Sequence, residues 1–305
     1  MNIIEGRYIS AGKKNLYVKI LGEGTPAVVI ETDWGGLSSE WQDLQYELSK
    51  YTTVITYDRA GYGESPRGEL PRDGKHITTE LYTMLANSNI REPYIFAGHS
   101  AGGLYVQLYA KMFPMDVAGI VLVDSITTEN EEFDKLDVPI YQSTVSLPAR
   151  MGNIRKMLEL EKEKFSAQII PILQNLYNGI QEDIKKQLIT YQSEQGFYQA
   201  LINEYDASFE TYKQLKDIKM LPNFPLKVLC RDYKVMIDIS KQIGIPEEEA
   251  RVIEELWLKH SKSLLNLSTN SELFLVSNSS HSIHQTRPDA VIQAVVDMMG
   301  KMRGN

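Results

Sequence analysis

A serine between small residues, in the segment GHSAGG at residues 98–103, has the setting of an enzyme nucleophile. Gly98 and Gly102 flank Ser100 in the pattern G-x-S-x-G, between an apolar run and a segment with helical spacing. Glycines here permit a sharp turn from strand to helix, because a Cβ would clash with neighbouring backbone. The turn would place the hydroxyl at the carboxyl edge of a sheet, where open α/β sheets bind ligands. The spacing therefore predicts nucleophilic chemistry at Ser100.

A serine hydroxyl is a weak nucleophile at neutral pH, so the chain must supply a base and an acid that orients the base. Five histidines are present. His99 neighbours the serine and cannot turn back onto its hydroxyl, and His76 and His260 lack a supporting pattern. The segment SNSSHSIHQTRP holds the other two, His281 and His284. This segment lies between the last apolar run and the last helical segment, where a base would reach the sheet edge.

Short apolar runs bounded by Gly, Pro, Asp and Ser predict the strands that must position these groups. Several are continuously apolar, which is typical of strands buried on both faces of a parallel sheet. Segments with helical spacing separate them, so the pattern predicts an α/β fold with a mostly parallel, doubly wound sheet. The predicted strands are 16–21, 27–31, 53–58, 94–98, 117–124, 226–230 and 272–277.

One region, from about residue 126 to residue 221, interrupts the alternation of strands and helices. It contains no convincing strand, and its charged sequence, rich in Lys and Glu, favours helix. We therefore expect a helical insertion at 126–221 and a core domain formed by 1–125 and 222–305.

Three segments together resemble motifs of the α/β-hydrolase family. They are the G-x-S-x-G turn, YDRAGYGESP at 57–66 and SSHSIHQTRPDAV at 279–291. The second is similar to the family's D-x-x-G-x-G-x-S loop. The third is similar to its final loop, where the histidine comes first and a proline opens the last helix. The resemblance implies an α/β-hydrolase fold with 126–221 as its helical cap, His281 as the base, His284 as a supporting residue, and no cofactor.

The acid partner of the base is open between two aspartates. In the family it follows the strand that corresponds to 226–230 or, less often, the strand at 117–124. Asp124 ends the earlier strand and is the preferred acid, although strand-end aspartates are also frequent as structural residues. Asp232 is the alternative, and it comes slightly early because the usual position falls near Lys234. A third reading is that neither aspartate serves.

An oxyanion hole, which binds the negative oxygen of a tetrahedral intermediate, requires two backbone N–H donors. The resemblance assigns them to Ala101, directly after the serine, and to Trp34 in the loop ETDWGGLSSEW. The family's usual His-Gly pair falls on Thr32 and Asp33, and a carboxylate close to a developing oxyanion would oppose it. Asp33 is therefore expected to point away, to find a cationic partner or to stay in water. The plainer alternative is a loop aspartate that caps nearby backbone amides.

The composition argues against several other classes of protein. A formal net charge of −8 and a pI near 5.3, with no block rich in Lys or Arg, disfavour nucleic-acid binding. No run reaches the roughly 18 apolar residues of a membrane span, and the N-terminus lacks a secretory signal pattern. The single cysteine, Cys230, permits no internal disulfide and fits a reducing compartment, so we expect a cytoplasmic protein. No nucleotide-binding motif occurs, and no metal site is expected at His281 and His284.

These observations predict a carboxylesterase-like serine hydrolase that cleaves a small carboxylic ester or a related acyl compound through an acyl-enzyme. The expected partner is that small-molecule substrate, and the sequence leaves the oligomeric state open. Two rivals use the same machinery: a C–C bond hydrolase, and an aminopeptidase in which Glu204 or Asp206 grips a substrate amine. A ligand sensor that keeps these residues without turnover is the alternative from another class.

Overall fold

Eight strands form one sheet at the centre of the computed structural model, which describes residues 5–218 and 220–303. The strands are β1 (Arg7–Ser10), β2 (Asn15–Leu21), β3 (Ala27–Glu31), β4 (Val54–Tyr57), β5 (Tyr94–His99), β6 (Val117–Val123), β7 (Leu226–Cys230) and β8 (Ser271–Leu275). Their order across the sheet is β1-β2-β4-β3-β5-β6-β7-β8. Strands β3 to β8 run parallel, whereas β2 is antiparallel to both of its neighbours. This sheet confirms the predicted α/β fold.

Helices connect the strands, and no described helix is both long and apolar enough to cross a membrane. The α-helices are α1 (Gln42–Leu48), α2 (Gly74–Ala86), α3 (Gly102–Met112), α4 (Pro139–Thr144), α5 (Leu147–Leu158), α6 (Lys162–Leu176), α7 (Glu182–Gln192), α8 (Gln195–Asp206), α9 (Ser208–Lys216), α10 (Tyr233–Gln242), α11 (Glu247–Ser263), α12 (Ile283–Thr286) and α13 (Pro288–Arg303). Short 3₁₀ helices span Ser38–Trp41, Pro114–Asp116, Asn130–Lys135 and Leu264–Leu267.

Two apolar cores cover the two faces of the sheet. Successive residues of a strand point to opposite faces, so Val29 of β3 packs in one core and Val28 in the other. The first core also contains Leu81 of α2, and the second contains Val295 of α13. Because helices cover both faces, the central strands are mostly apolar rather than alternating between apolar and polar residues.

All seven predicted strands are present, with bounds that differ from the prediction by at most two residues. The sequence missed β1, which has four residues and a single buried position. A strand this short at the edge of the sheet carries no apolar run, so the pattern that found the others does not find it.

The segment 126–221 folds into helices α4 to α9, and its described residues contain no strand. Apolar side chains of these helices, Phe165 and Leu188 among them, pack with Leu37 and Tyr62 from loops beside the sheet. The division of the chain into a core domain and a cap stays a prediction.

Two glycines allow β5 to turn sharply into α3. A Cβ on Gly102 would lie 2.4 Å from the carbonyl oxygen of Glu31 and 2.5 Å from that of Thr32, at the end of β3. A Cβ on Gly98 would lie 2.8 Å from the Cα of Gly103. Since these contacts are with backbone atoms, a side chain at either glycine would push the helix away from the strand ends.

We predict that Gly102→Ala destabilises the protein by about 1–3 kcal/mol, because the new methyl group must displace two backbone carbonyls. The matched control is Gly152→Ala within α5, where a new Cβ would meet no atom within 4 Å. That change should stabilise the protein by about 0.5–1 kcal/mol, because alanine favours helix more than glycine does. Urea unfolding of the two variants and the wild type measures both effects, and equal stability of the two variants would contradict the steric argument.

Candidate active site

The turn between β5 and α3 holds Ser100 in a strained backbone conformation. Its φ angle is +51°, in the left-handed region that residues other than glycine rarely adopt. Backbone hydrogen bonds hold this conformation. The N–H of Ser100 donates to the carbonyl of Val123 at 3.1 Å, and its carbonyl accepts from the N–H of Gly103 at 3.1 Å. The turn thereby keeps the serine at the carboxyl ends of the strands.

His281 lies in the loop between β8 and α12, within hydrogen-bond distance of two of the predicted site residues. Its Nε2 is 3.1 Å from Oγ of Ser100, and its Nδ1 is 2.7 Å from Oδ2 of Asp124. In the neutral imidazole, Nδ1–H donates to the carboxylate, which leaves Nε2 free to accept from the serine hydroxyl. The structure therefore brings Ser100, His281 and Asp124 together in the order hydroxyl, imidazole, carboxylate.

Asp124 directly follows β6, and its side chain is fully buried. Oδ1 accepts from the indole N–H of Trp257 at 2.8 Å and from the backbone N–H of Arg231 at 3.1 Å, while Nη1 of Arg231 lies 3.4 Å from Oδ2. Burial alone would raise the pKa of Asp124. The positive charge of Arg231 and the hydrogen bond from His281 outweigh burial and lower this pKa. The carboxylate is therefore ionised at neutral pH.

Arg231 and Trp257 are site residues that the sequence did not single out. The guanidinium of Arg231 donates two hydrogen bonds to Glu254, at 2.9 and 2.6 Å, and its central carbon lies 3.8 Å from the centre of the Trp257 ring. Trp257 and Glu254 come from α11, whereas Asp124 follows β6. No local pattern links such distant positions, and the only signal is a charged residue directly after the apolar strand β7.

Asp232, the alternative acid, is placed elsewhere. Its Oδ1 accepts from the backbone N–H of Lys234 at 2.9 Å, which caps the start of α10. Its Oδ2 accepts from the backbone N–H of Asn278 at 2.9 Å. Both carboxylate oxygens are thus engaged with backbone amides, and the structure does not bring Asp232 to His281.

Two carboxylates raise the pKa of His281 to about 9. Loss of hydration alone would lower it, but the hydrogen bond to Asp124 and the interaction with Asp33 outweigh that effect. Oδ2 of Asp33 lies 3.9 Å from Nε2 of His281. The imidazole of the resting protein is therefore mainly protonated at neutral pH.

The carboxylate of Asp33 lies between the two backbone donors that the sequence assigned to the oxyanion hole. Its Oδ1 accepts from the N–H of Trp34 at 2.7 Å and from the N–H of Ala101 at 3.2 Å. Two of the three expectations for Asp33, that it points away from the hole or stays in water, are wrong, because the side chain turns inward. The third, a cationic partner, describes His281, whose Nε2 lies 3.9 Å from Oδ2 of Asp33. Asp33 matches the other alternative, a loop aspartate that caps nearby backbone amides. The amides that it caps are the two predicted oxyanion donors.

The surroundings of Asp33 favour its negative charge. Burial would raise its pKa, but the electrostatic interaction with His281, 3.9 Å away, and the hydrogen bond from the amide of Ala101 lower it well below the usual range. The neighbouring acid, Glu40, shows the opposite effect. Burial and then repulsion by Asp33 raise the pKa of Glu40 to about 8. Of these two acids, Asp33 is the one that carries a full charge at neutral pH.

Arg59, which the sequence did not single out, fixes the backbone of the loop that carries Asp33. It donates to the carbonyl of Thr32 at 2.8 Å and to the carbonyl of Asp33 at 2.6 Å. It also forms buried ion pairs with Glu31, at 2.7 Å, and with Glu204, at 2.9 Å. The guanidinium therefore holds two carbonyls of this loop in place, while the N–H of Trp34 donates to the Asp33 carboxylate.

The two acids proposed to grip a substrate amine are not placed for that task. Glu204 is buried, and its carboxylate accepts hydrogen bonds from Arg59 and, at 3.0 Å, from the hydroxyl of Tyr62. Asp206 is exposed and pairs with Arg155. Neither residue lines the cavity above Ser100.

His284 and His99 pack behind the loop of His281. The ring of His284 stacks on Trp41 with 3.9 Å between ring centres, and burial lowers the pKa of His284 well below its usual value. Nε2–H of His99 donates to the backbone carbonyl of His281 at 3.1 Å. The two neutral rings therefore support the loop, and among the described residues no His, Cys, Asp or Glu cluster is arranged to hold a metal ion.

A cavity of about 380 Å³ lies above Ser100 and His281. Its walls come mainly from the segment after β6, from α5, and from α10 and α11. About half of the lining side chains are apolar: Trp34, Ile126, Phe133, Val145, Leu147, Met151, Leu201, Met236, Ile239, Ile243, Ile253 and Trp257. A cavity of this size and lining accepts a small, partly apolar ligand.

Comparisons with known proteins agree with this architecture. The YqjL protein of Bacillus subtilis (strain 168) is 23% identical over 277 residues, which cover 91% of this chain and 85% of that protein. A serine hydrolase involved in carbazole degradation, the CarC enzyme, has a crystal structure that matches with a TM-score of 0.63 at 16% identity, over 97% of this chain and 98% of that chain. The enol-lactonase of Burkholderia xenovorans LB400 matches with a TM-score of 0.64 at 17% identity, over 96% of this chain and 100% of that chain.

The model of the Alpha/beta hydrolase family matches residues 32–294, which include Asp33, Ser100, Asp124 and His281. The family model supports a hydrolase-type enzyme, and the two solved structures, at 16% and 17% identity, show the same fold. By this match the chain belongs to the alpha/beta hydrolase family.

Proposed function

We propose that this protein is a serine hydrolase that cleaves a small carboxylic ester or a related acyl compound. One observation carries the proposal. Ser100, His281 and Asp124 form a continuous hydrogen-bonded series at the floor of the cavity, with distances of 3.1 and 2.7 Å. Nucleophilic catalysis by serine needs this arrangement, since the base must reach the hydroxyl and the acid must orient the base.

The first half of the proposed reaction forms an acyl-enzyme. His281 in its neutral form takes the proton of Ser100 as the serine oxygen attacks the acyl carbon. The carbonyl π electrons move to oxygen, and the N–H groups of Ala101 and Trp34 bind the resulting oxyanion once Asp33 has left them. When the intermediate collapses, the bond to the leaving group breaks and His281 gives its proton to the departing oxygen.

The second half releases the acid. A water molecule gives a proton to His281 and attacks the acyl carbon, and the tetrahedral oxyanion forms in the same place. Collapse breaks the bond to Ser100, which recovers its proton from His281. Asp124 stays ionised throughout and stabilises the imidazolium that forms in each half.

The nature of the cavity supports a small acyl substrate. About half of its lining is apolar and suits an acyl or alkyl chain, while Ser100, His281 and charged residues such as Arg150 and Asp134 supply polar groups. The likeness to an enol-lactonase is consistent with this class, since a lactone is a cyclic ester. The aminopeptidase alternative loses support because neither Glu204 nor Asp206 lines the cavity.

One observation favours a second candidate, a ligand sensor without turnover. The Asp33 carboxylate already accepts hydrogen bonds from both predicted oxyanion donors. A ligand could bind in the cavity without reaching these donors. Turnover of short p-nitrophenyl esters distinguishes the candidates, because a hydrolase releases p-nitrophenolate continuously and a sensor does not.

We predict that Ser100→Ala and His281→Ala each lower the rate of p-nitrophenyl ester hydrolysis by roughly 10³-fold or more, since each change removes a group that acts in both halves of the reaction. Thermal melting of both variants checks that they fold. If both variants hydrolyse the ester at the wild-type rate, the proposal is contradicted.

We predict that Asp124→Asn lowers kcat by roughly 10³–10⁴-fold, because an amide holds the imidazole in the wrong tautomer and cannot stabilise its charged form. Asp232→Asn is the matched control, since the side chain is the same size and its carboxylate binds only backbone amides. It should stay within about threefold of the wild type. A dead Asp232→Asn enzyme beside an active Asp124→Asn enzyme would show that the acid is assigned to the wrong aspartate.

The pH dependence of kcat/KM should report the proton on His281, because kcat/KM follows ionisations of the free enzyme. Only the neutral imidazole can accept the serine proton, and the pKa of this group is raised to about 9. Activity should therefore rise by about tenfold per pH unit below this value and level off above it. Initial rates between pH 6 and 10, corrected with the Ser100→Ala protein, measure the profile. A plateau already reached at pH 7 would contradict the assignment.

A further inference from the structure

The most unusual feature of the site is a side chain of the protein in the place of the substrate oxygen. Oδ1 of Asp33 lies 2.7 Å from the N of Trp34 and 3.2 Å from the N of Ala101. A substrate carbonyl oxygen must occupy the same point to use these donors. Two oxygen atoms cannot share one position, and the negative carboxylate would also repel the developing oxyanion. A substrate can therefore react only when Asp33 has moved.

The structure separates the part of Asp33 that is fixed from the part that can move. Its backbone carbonyl is held by Arg59 at 2.6 Å, inside a buried ion pair network. Its side chain, in contrast, is about 30% exposed and lines the cavity. Rotation about the Cα–Cβ bond would swing the carboxylate into the cavity without disturbing the loop. The donor of Trp34 would keep its place during this movement.

The same carboxylate acts on the base. Oδ2 of Asp33 lies 3.9 Å from Nε2 of His281, the atom that must accept the serine proton. Negative charge at this distance favours the protonated imidazole, which cannot act as a base. Thus one side chain opposes two requirements of the reaction, an open oxyanion hole and a neutral histidine.

The groups around Asp33 come from three other parts of the chain. His99 lies at the end of β5, and His281 and His284 come from the loop after β8 and from α12. Glu40 belongs to the 3₁₀ helix Ser38–Trp41 and repels Asp33. The carboxylate is therefore attracted by the two backbone amides and by His281, and these partners hold it in the oxyanion hole.

We infer that Asp33 closes the oxyanion hole of the resting enzyme, and that an acyl substrate opens the hole by displacing the carboxylate through rotation of the side chain. This inference rests on the proposed serine hydrolase function and adds a residue that limits its rate. Asp33 thereby acts as an internal competitor of the substrate. It also sets which acyl compounds react, because only those that bind well enough in the cavity displace it.

Labelling by a fluorophosphonate tests the inference without knowledge of the natural substrate. In this reaction the serine oxygen forms a bond to phosphorus, fluoride leaves, and the phosphoryl oxygen needs the oxyanion hole. The variants are Asp33→Ala, which empties the hole, and Glu40→Gln, a control that changes a neighbouring acid outside it. The measurement is the second-order rate constant of labelling at pH 7.5, followed by the mass of the intact protein.

We expect Asp33→Ala to be labelled at least about tenfold faster than the wild type, and Glu40→Gln to stay within about twofold. Labelling of Asp33→Ala at the wild-type rate or more slowly, with a labelled wild type, overturns the inference and leaves the proposed function intact. Absence of labelling in all three proteins overturns the proposed function, and the inference falls with it.

The ionisation of His281 gives a second readout that a purely structural role of Asp33 would not change. The proton on Nδ1, in the hydrogen bond to Asp124, can be followed by its downfield NMR signal as the pH is raised. In Asp33→Ala the pKa of His281 should fall by at least about one unit, because one of its two carboxylate partners is gone. An unchanged pKa overturns the part of the inference that concerns the base.

Discussion

The hydrogen bond between Asp124 and His281 joins parts of the chain that lie 157 residues apart, and the geometry of the site depends on it. It fixes the imidazole so that the second ring nitrogen meets the serine hydroxyl. The bond is short, at 2.7 Å, and Asp124 keeps its charge in the interior because Arg231 and Trp257 supply hydrogen bonds to it. The sheet brings these residues together, since β5, β6, β7 and β8 are neighbours with their carboxyl ends at one edge.

A second network, on the other side of Ser100, fixes the predicted oxyanion donors. Arg59 binds two carbonyls of the loop after β3 and pairs with Glu31 and Glu204, all in the interior of the protein. Glu204 belongs to α8, so the same network ties the helices of 126–221 to the loop that carries Asp33. Breaking a buried charge pair of this kind is expensive. These contacts hold the backbone of the loop, and on this basis we infer that the movement is confined to the side chain of Asp33.

Local sequence patterns were sufficient to predict seven of the eight strands and the turn at Ser100, because each depends on residues close together in the chain. The resemblance to the family pointed to His281, which the structure places 3.1 Å from the hydroxyl of Ser100. These patterns could not decide between Asp124 and Asp232, since both follow apolar strands. The two aspartates differ in their distant contacts: the indole N–H of Trp257 donates to Asp124, whereas Asp232 caps its own helix. The orientation of the Asp33 side chain could not be predicted either, because a departure from the family motif does not show which way a side chain turns.

The proposed reaction requires a covalent acyl intermediate on Ser100. It can be trapped by mixing the enzyme with p-nitrophenyl acetate, quenching with acid during turnover, and locating the acetyl group by peptide mass spectrometry. We expect one acetyl group on the peptide that contains Ser100, and none in the Ser100→Ala protein. Steady hydrolysis with an acetyl group on another residue, or with no covalent intermediate on Ser100, would contradict the proposed reaction.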